Sequence, residues 1–265
     1  MKSQEVFYSP FYGFNFCYIC NIQNLQFLLQ GGFKMKNSIE CREIEKLFKG
    51  DGIETYALKD VNLKITEGEF VSIIGPSGSG KSTLLSILGT LDIPSSGEML
   101  YENKPTNKLN NKQMADFRFE NIGFIFQQFH LIPTLTALEN IMAPLFGRKV
   151  TYDKKQRAQE LLEMVGLKDK ENSLPSQFSG GQQQRIAIAR ALVHEPNWLL
   201  ADEPTGNLDT ETGEIIFQLL LSLNRDKGCG VLFVTHDPEL ANRANRKIEM
   251  RDGLLIADTV VNQYA

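Results

Sequence analysis

The sequence has no stretch of the roughly 18 consecutive apolar residues that a helix needs to cross a bilayer, so the chain is not expected to build its own membrane path. Cysteine is scarce. Of four thiols, Cys41 and Cys229 stand isolated, and Cys17-Tyr18-Ile19-Cys20 has no second pair to complete a metal site. A disulfide-stapled secreted domain is therefore excluded and a reducing compartment expected. A strong charge imbalance is also lacking: 28 basic against 32 acidic residues leave a formal net charge of −4, with no overall pull toward nucleic acid or an anionic membrane. No internal repeat occurs, and no low-complexity linker follows residue 34.

What remains is ordinary globular composition, 265 residues of which 42% are hydrophobic, enough for a real core. Residues 1–34 stand apart, rich in Phe, Tyr, Asn and Gln and uncharged between Glu5 and Lys34. They fit a signal peptide poorly, because Glu5 answers Lys2 and Pro10, Asn15, Asn21 and Asn24 interrupt the apolar run. Gln30-Gly31-Gly32 is a tripeptide that a bacterial ribosome-binding sequence could encode just upstream of Met35. The working protein is thus expected to start at Met35, with 1–34 an untranslated or disordered extension.

From Ile39 onward the pattern turns to short β runs, helices and glycine turns. Tyr56 to Ile65 alternates apolar and polar residues, and Phe70-Val71-Ser72-Ile73-Ile74 reads as a buried strand. Further apolar runs at 122–126, 198–201 and 231–234 alternate with helical stretches, which predicts a parallel sheet covered by helices. The stretch 131–177 lacks such runs and places Leu161, Leu162 and Val165 on one helical face, predicting an inserted helical subdomain.

Gly75-Pro76-Ser77-Gly78-Ser79-Gly80-Lys81-Ser82 matches G-x-x-x-x-G-K-[ST], follows the predicted strand and opens an apolar helix at Thr83. Glycines there let backbone N–H groups converge on phosphate oxygens at a helix N-terminus, where unpaired amides and the helix dipole favour an anion. Lys81 would reach the β- and γ-phosphates and Ser82 would ligate magnesium. A second glycine turn, Phe178-Ser179-Gly180-Gly181-Gln182, feeds a second helix N-terminus and makes another anion site.

At this point the chain resembles the ABC ATPase family, whose signature is L-S-G-G-Q, with Phe178 in place of the usual Leu. The resemblance implies a P-loop NTPase fold of α/β class: a RecA-like core with a mostly parallel sheet, an antiparallel β subdomain and the helical insertion. In those terms residues 35–265 are one ATPase domain, its core at about 35–127 and 182–265 and its helical subdomain at about 128–181. Trp198-Leu199-Leu200-Ala201-Asp202-Glu203 is the Walker B arrangement, Asp202 holding the magnesium shell and Glu203 polarising the attacking water. The family also places Gly206-Asn207-Leu208-Asp209 at the D-loop, His236 at the γ-phosphate, and Gln127 at the Q-loop, sensing magnesium and water. ATP and magnesium are the implied cofactors, bound by Gly75, Pro76, Ser77, Gly78, Ser79, Gly80, Lys81, Ser82 and Thr83, with Ser179, Gly180, Gly181, Gln182 and Asp209 reaching the nucleotide from a second copy. Tyr56 sits where the family stacks an aromatic ring on adenine; packing on the core is the alternative for a strand tyrosine. His130 and His194 have no catalytic context.

One set of motifs supplies only half-sites, so a head-to-tail homodimer is implied. From Ile39 to about Asp258 the chain is similar to cassettes of the lipoprotein-releasing, macrolide-exporting and cell-division systems. Residues 202–209 are typical of that group, and within it 215–220, 223–225 and 248–253 most resemble the lipoprotein-releasing ATPase subunit. That implies two membrane permease subunits, expected as a heterodimer, a peripheral position on the cytoplasmic face of the inner membrane, and no nucleic-acid partner. Phe129, Leu131 and Leu135 either form an apolar docking surface for the permease or pack the helical subdomain.

Overall fold

The computed structural model describes residues 37–50 and 53–261. The expectations about residues 1–34 and the Cys17–Cys20 spacing fall outside the described residues. Two strands open the described chain, β1 (Ser38–Gly50) and β2 (Ile53–Thr66), followed by β3 (Phe70–Ile74), α1 (Lys81–Leu88), β4 (Ser96–Tyr101) and β5 (Lys104–Pro105). Then come α2 (Asn111–Asn121), β6 (Ile122–Ile125), α3 (Ala137–Met142), α4 (Lys154–Met164), α5 (Gly180–Leu192) and β7 (Trp198–Asp202). The last elements are α6 (Thr210–Lys227), β8 (Gly230–Val234), α7 (Pro238–Asn242), β9 (Arg246–Arg251) and β10 (Leu254–Val260).

These strands form two sheets. One is antiparallel, in the order β2-β1-β4-β5; the other runs β10-β9-β3-β8-β7-β6 and is parallel except for the edge strand β10. The α/β, P-loop NTPase fold with an antiparallel β layer is therefore present as expected. Alternation along the central strands splits the interior in two. Val231 and Phe233 of β8 and Leu199 and Ala201 of β7 face α3–α6, whereas Leu232, Val234 and Leu200 face α1 and the antiparallel sheet.

Phe70, Phe217 and Phe233 meet on the first side, ring centroids 5.2–5.7 Å apart. Each is essentially fully buried, a contribution of about 1.5–3 kcal/mol per side chain from removal from water. Helix α6 buries Ile216, Phe217, Leu220 and Leu223 at helical spacing, is capped by Asp209 and stops at Gly228, whose φ of 66° suits glycine. Because β3, β6, β7 and β8 are parallel, the loops that follow them leave one edge of the sheet, where open α/β sheets place their ligands.

Between β6 and β7 the chain carries α3 and α4, with Leu161, Leu162 and Val165 buried as the pattern predicts. Asn140 of α3 is fully buried. Its Oδ1 accepts from Ile132 N at 2.7 Å, and its Nδ2 donates to the carbonyls of Ile132, Leu135 and Thr136, which fixes the loop before α3.

Candidate active site

The loop from β3 to α1 wraps the start of the helix. Gly80 caps α1 with φ 96°, and a Cβ there would lie 2.3 Å from the carbonyl oxygen of Ala57, so only glycine lets the loop pass β2 this closely. Lys81 is 8% exposed, and its Nζ donates to Gly75 O at 2.8 Å and Pro76 O at 2.9 Å, which holds the ammonium at the loop mouth. A cleft of about 430 Å³ opens here, lined by Ala57, Gly75, residues 77–83, Glu203 and His236. Residues of the loop, the end of β7 and the end of β8 are thus brought together from positions far apart in the chain.

Ser82 Oγ donates to Asp202 Oδ1 at 3.0 Å, joining the helix start to the end of β7. Burial pushes the Asp202 carboxyl above the usual aspartate range; the Ser82 hydroxyl opposes this, the Glu203 carboxylate adds to it and Lys81 opposes it. Two oxygen donors side by side, one of them a carboxylate, fit magnesium, which takes one or two carboxylates and completes its shell with water and substrate phosphates. Among the described residues no cluster of three or more His, Cys, Asp or Glu could hold a metal by itself.

Glu203 follows the strand with φ 44°, and its N–H donates to Val234 O at 3.1 Å. Its Oε2 lies 3.4 Å from His236 Nδ1, so the carboxylate and the imidazole face each other across the cleft wall. Gln127 lies at the end of β6 and meets the loop after β7 reciprocally: its Nε2 donates to Asn207 Oδ1 at 3.4 Å, and Asn207 Nδ2 donates to its carbonyl at 3.1 Å. Gly206 leaves room for this contact, since a Cβ there would be 2.9 Å from Gln127 Nε2 and 3.0 Å from Glu203 Oε2.

The second glycine turn forms the N-terminus of α5 as predicted. Ser179 and Gln182 make a capping box, Gln182 Oε1 accepting from Ser179 N at 3.0 Å and Ser179 Oγ accepting from Gln182 N at 3.4 Å. Gly181 backs onto Thr212, and Gly180 packs near Leu208 and Phe129. Asp209 accepts from Thr212 N and Thr212 Oγ1, and these bonds hold its carboxyl below the usual range. Signature turn and D-loop are therefore neighbours, but residues 179–182 and Asp209 do not line the phosphate-loop cleft of their own chain. Phe178 replaces the family's Leu by filling the core beneath the turn, 7% exposed.

Tyr56 is 46% exposed on β2, beside the cleft residue Ala57, which removes the core-packing alternative. His194 is largely buried, its Nε2 3.1 Å from Ile122 O, and burial pushes its pKa down; His130 is exposed, and neither lines the cleft. Phe129 and Leu131 are half-buried packing residues, Phe129 against Gly180 and Leu131 against the helical core, whereas Ile132 is the exposed apolar residue of that loop. Sequence reasoning passed over Gln184 and Arg190. Gln184 is buried in α5 and donates to Pro204 O at 2.7 Å and Phe126 O at 3.4 Å; Arg190 donates to the carbonyls of Phe129 and His130. Their only signal was position on the helix that the signature turn opens.

The sequence profile of a family described as ABC transporter matches residues 58–206, more than half of the chain. The chain belongs to the ABC transporter family. An uncharacterized ABC transporter ATP-binding protein of Methanocaldococcus jannaschii, MJ1508, is 51% identical over 220 residues, 82% of this cassette and 97% of that protein. The cassette is also similar to the dimeric structure of a post-hydrolysis state of the ATP-binding cassette MJ0796 bound to ADP and Pi. There the TM-score is 0.79 at 47% identity, over 85% of this chain and 100% of that one. The structure of cbiO1 from Clostridium perfringens, part of the ABC transporter complex cbiONQ, follows with TM-score 0.74 and 29% identity, over 84% of this chain and 88% of that one. This cassette is an ATPase subunit, and among the described residues no helix is long and apolar enough to cross a membrane.

Proposed function

We propose that two copies of this cassette bind ATP head to tail and that their hydrolysis cycle powers release of lipoproteins from the inner membrane through permease partners. The observation that carries the dimer is the separation of half-sites: the signature turn and Asp209 adjoin each other yet do not line the cleft that Lys81, Ser82 and Glu203 line. The dimeric MJ0796 cassettes and the place of cbiO1 in cbiONQ support the same assembly here. Lipoprotein cargo rests on the resemblance of residues 215–220, 223–225 and 248–253 to the lipoprotein-releasing subunit. A peripheral place on the cytoplasmic face of that membrane, and a permease heterodimer, follow from the same resemblance.

In this reading Lys81 and the loop amides bind the phosphates, while Glu203 orients and deprotonates water and His236 holds the γ-phosphate end. Ser82, Asp202 and Gln127 would hold magnesium, which when bound neutralises charge on the β- and γ-phosphates. Tyr56 offers an aromatic face to adenine, and Ser179, Gly180, Gly181, Gln182 and Asp209 of the second copy close the site.

Glu203→Gln is expected to lower turnover by about 10²–10⁴-fold while leaving ATP affinity intact and trapping a nucleotide-bound dimer on gel filtration. Near-wild-type hydrolysis by that variant would refute the catalytic assignment. For the cargo, depletion in the native host should leave lipoproteins in the inner membrane. Unchanged lipoprotein sorting would point to an exporter of macrolides or peptides or to a cell-division complex, and recovery with ribosomes would overturn the transport reading.

A further inference from the structure

A second cleft, of about 300 Å³, lies on the other side of Glu203 and His236, and its lining includes Asp209, Glu214, Asp237 and Arg243. Arg243 Nη1 donates to Glu214 Oε2 at 2.6 Å and Nη2 to Glu214 Oε1 at 2.8 Å, a bidentate charge-assisted pair. The guanidinium also lies over the Phe217 ring, 4.2 Å from its centroid. Arg243 and then the Gln218 amide hold the Glu214 carboxyl down at about 2, so the pair stays ionised throughout the working pH range.

The two partners belong to the elements that carry the site. Glu214 lies in the second turn of α6, whose cap is Asp209, and Arg243 is the C-cap of α7, whose cap Asp237 directly follows His236. The His236 side chain is 68% exposed and faces Glu203 at 3.4 Å, so its placement depends on the backbone turn that bears it more than on packing. That turn is held by Asp237 N donating to Thr235 Oγ1 at 3.0 Å. Helix α7 is five residues long, too short to be stable alone, and is anchored at Ala241 O by Ser72 Oγ at 3.0 Å and at its end by Glu214.

We propose that Glu214 and Arg243 form a positioning pair: by tying α7 to α6 they hold the His236 imidazole against Glu203. The inference rests on the reading of His236 and Glu203 as parts of the hydrolytic site. Arg243→Ala and Glu214→Gln should each lower kcat about 5–10-fold with the ATP KM unchanged, well under the roughly 10²-fold that a 1 Å misplacement of a reacting group can cost. The double swap Glu214→Arg with Arg243→Glu should recover much of the loss. The protein has three histidines, so their imidazole resonances can be followed separately by NMR in the full chain. In both single variants the His236 resonance should move while those of His130 and His194 stay.

A drop in kcat without movement of the His236 resonance, or wild-type kcat in both variants, overturns the proposal. Failure of the site reading is distinct: His236→Ala would then hydrolyse ATP at the wild-type rate, whatever the resonances of the pair variants do.

Discussion

Two glycines of the phosphate loop share a backbone conformation and differ in what surrounds them, which makes a clean comparison. Gly78 has φ 76° and Gly80 φ 96°, but a Cβ on Gly78 would have nothing within 4 Å, whereas one on Gly80 would meet Ala57 O at 2.3 Å and Leu58 Cδ2 at 3.0 Å. Alanine in the left-handed region costs roughly 1–2 kcal/mol at either site. At Gly80 the clash is with a backbone carbonyl in a hydrogen-bonded strand, adding about 1–3 kcal/mol of overpacking. Gly78→Ala should therefore destabilise by about 1–2 kcal/mol and Gly80→Ala by about 2–5 kcal/mol. Urea unfolding followed by the fluorescence of Trp198, the sole tryptophan and fully buried, measures both. Calorimetry should show that Gly80→Ala also weakens ATP binding, because α1 and its leading amides must shift. Equal or reversed costs for the two variants would refute the argument from close approach.

Asp202→Asn should abolish magnesium-dependent turnover yet stabilise the nucleotide-free fold at neutral pH. Burial raises the Asp202 pKa, so its charge costs stability as pH rises through the folded value; the gain from Asn should shrink as pH falls toward the ordinary aspartate value of about 3.9, and a pH-independent gain would contradict the burial argument. Tyr56→Ala should change unfolding stability by less than about 0.5 kcal/mol because the ring is exposed, while ATP affinity falls about five- to tenfold; unchanged affinity by calorimetry would remove the adenine role. Gln184→Leu should cost about 1–3 kcal/mol in urea unfolding because it strands the buried Pro204 carbonyl, and a neutral result would show that this bond is dispensable.

The phosphate loop was legible because its strand, turn and helix are contiguous, so motif and context could be read together. The central strands were legible for a related reason: buried on both faces, β3, β7 and β8 are nearly continuous apolar runs. Helix α2 left no such trace, having no buried residue and therefore no periodic stripe, and β4, β5, β9 and β10 are too polar or too short to stand out. Gln184 could not be read as structural because a polar residue in an amphipathic helix defaults to the solvent face. Its partners Phe126 and Pro204 lie 58 and 20 residues away, and only the fold puts them beside it. The Glu214–Arg243 pair was hidden in the same way, 29 residues apart on helices whose crossing no local pattern encodes.

Two of the links near the site are made by neutral amides, and their bonding differs. Asn140 is buried and makes four bonds to the loop before α3, so displacing it would strand several backbone groups at once. Gln127 and Asn207 instead meet through longer bonds of 3.4 and 3.1 Å at an exposed position, where water can replace either partner at little cost. The contact between the end of β6 and the loop after β7 is thus the looser of the two. Glu203 lies beside it: a Cβ on Gly206 would fall 2.9 Å from Gln127 Nε2 and 3.0 Å from Glu203 Oε2, so glycine keeps the space between the two side chains clear.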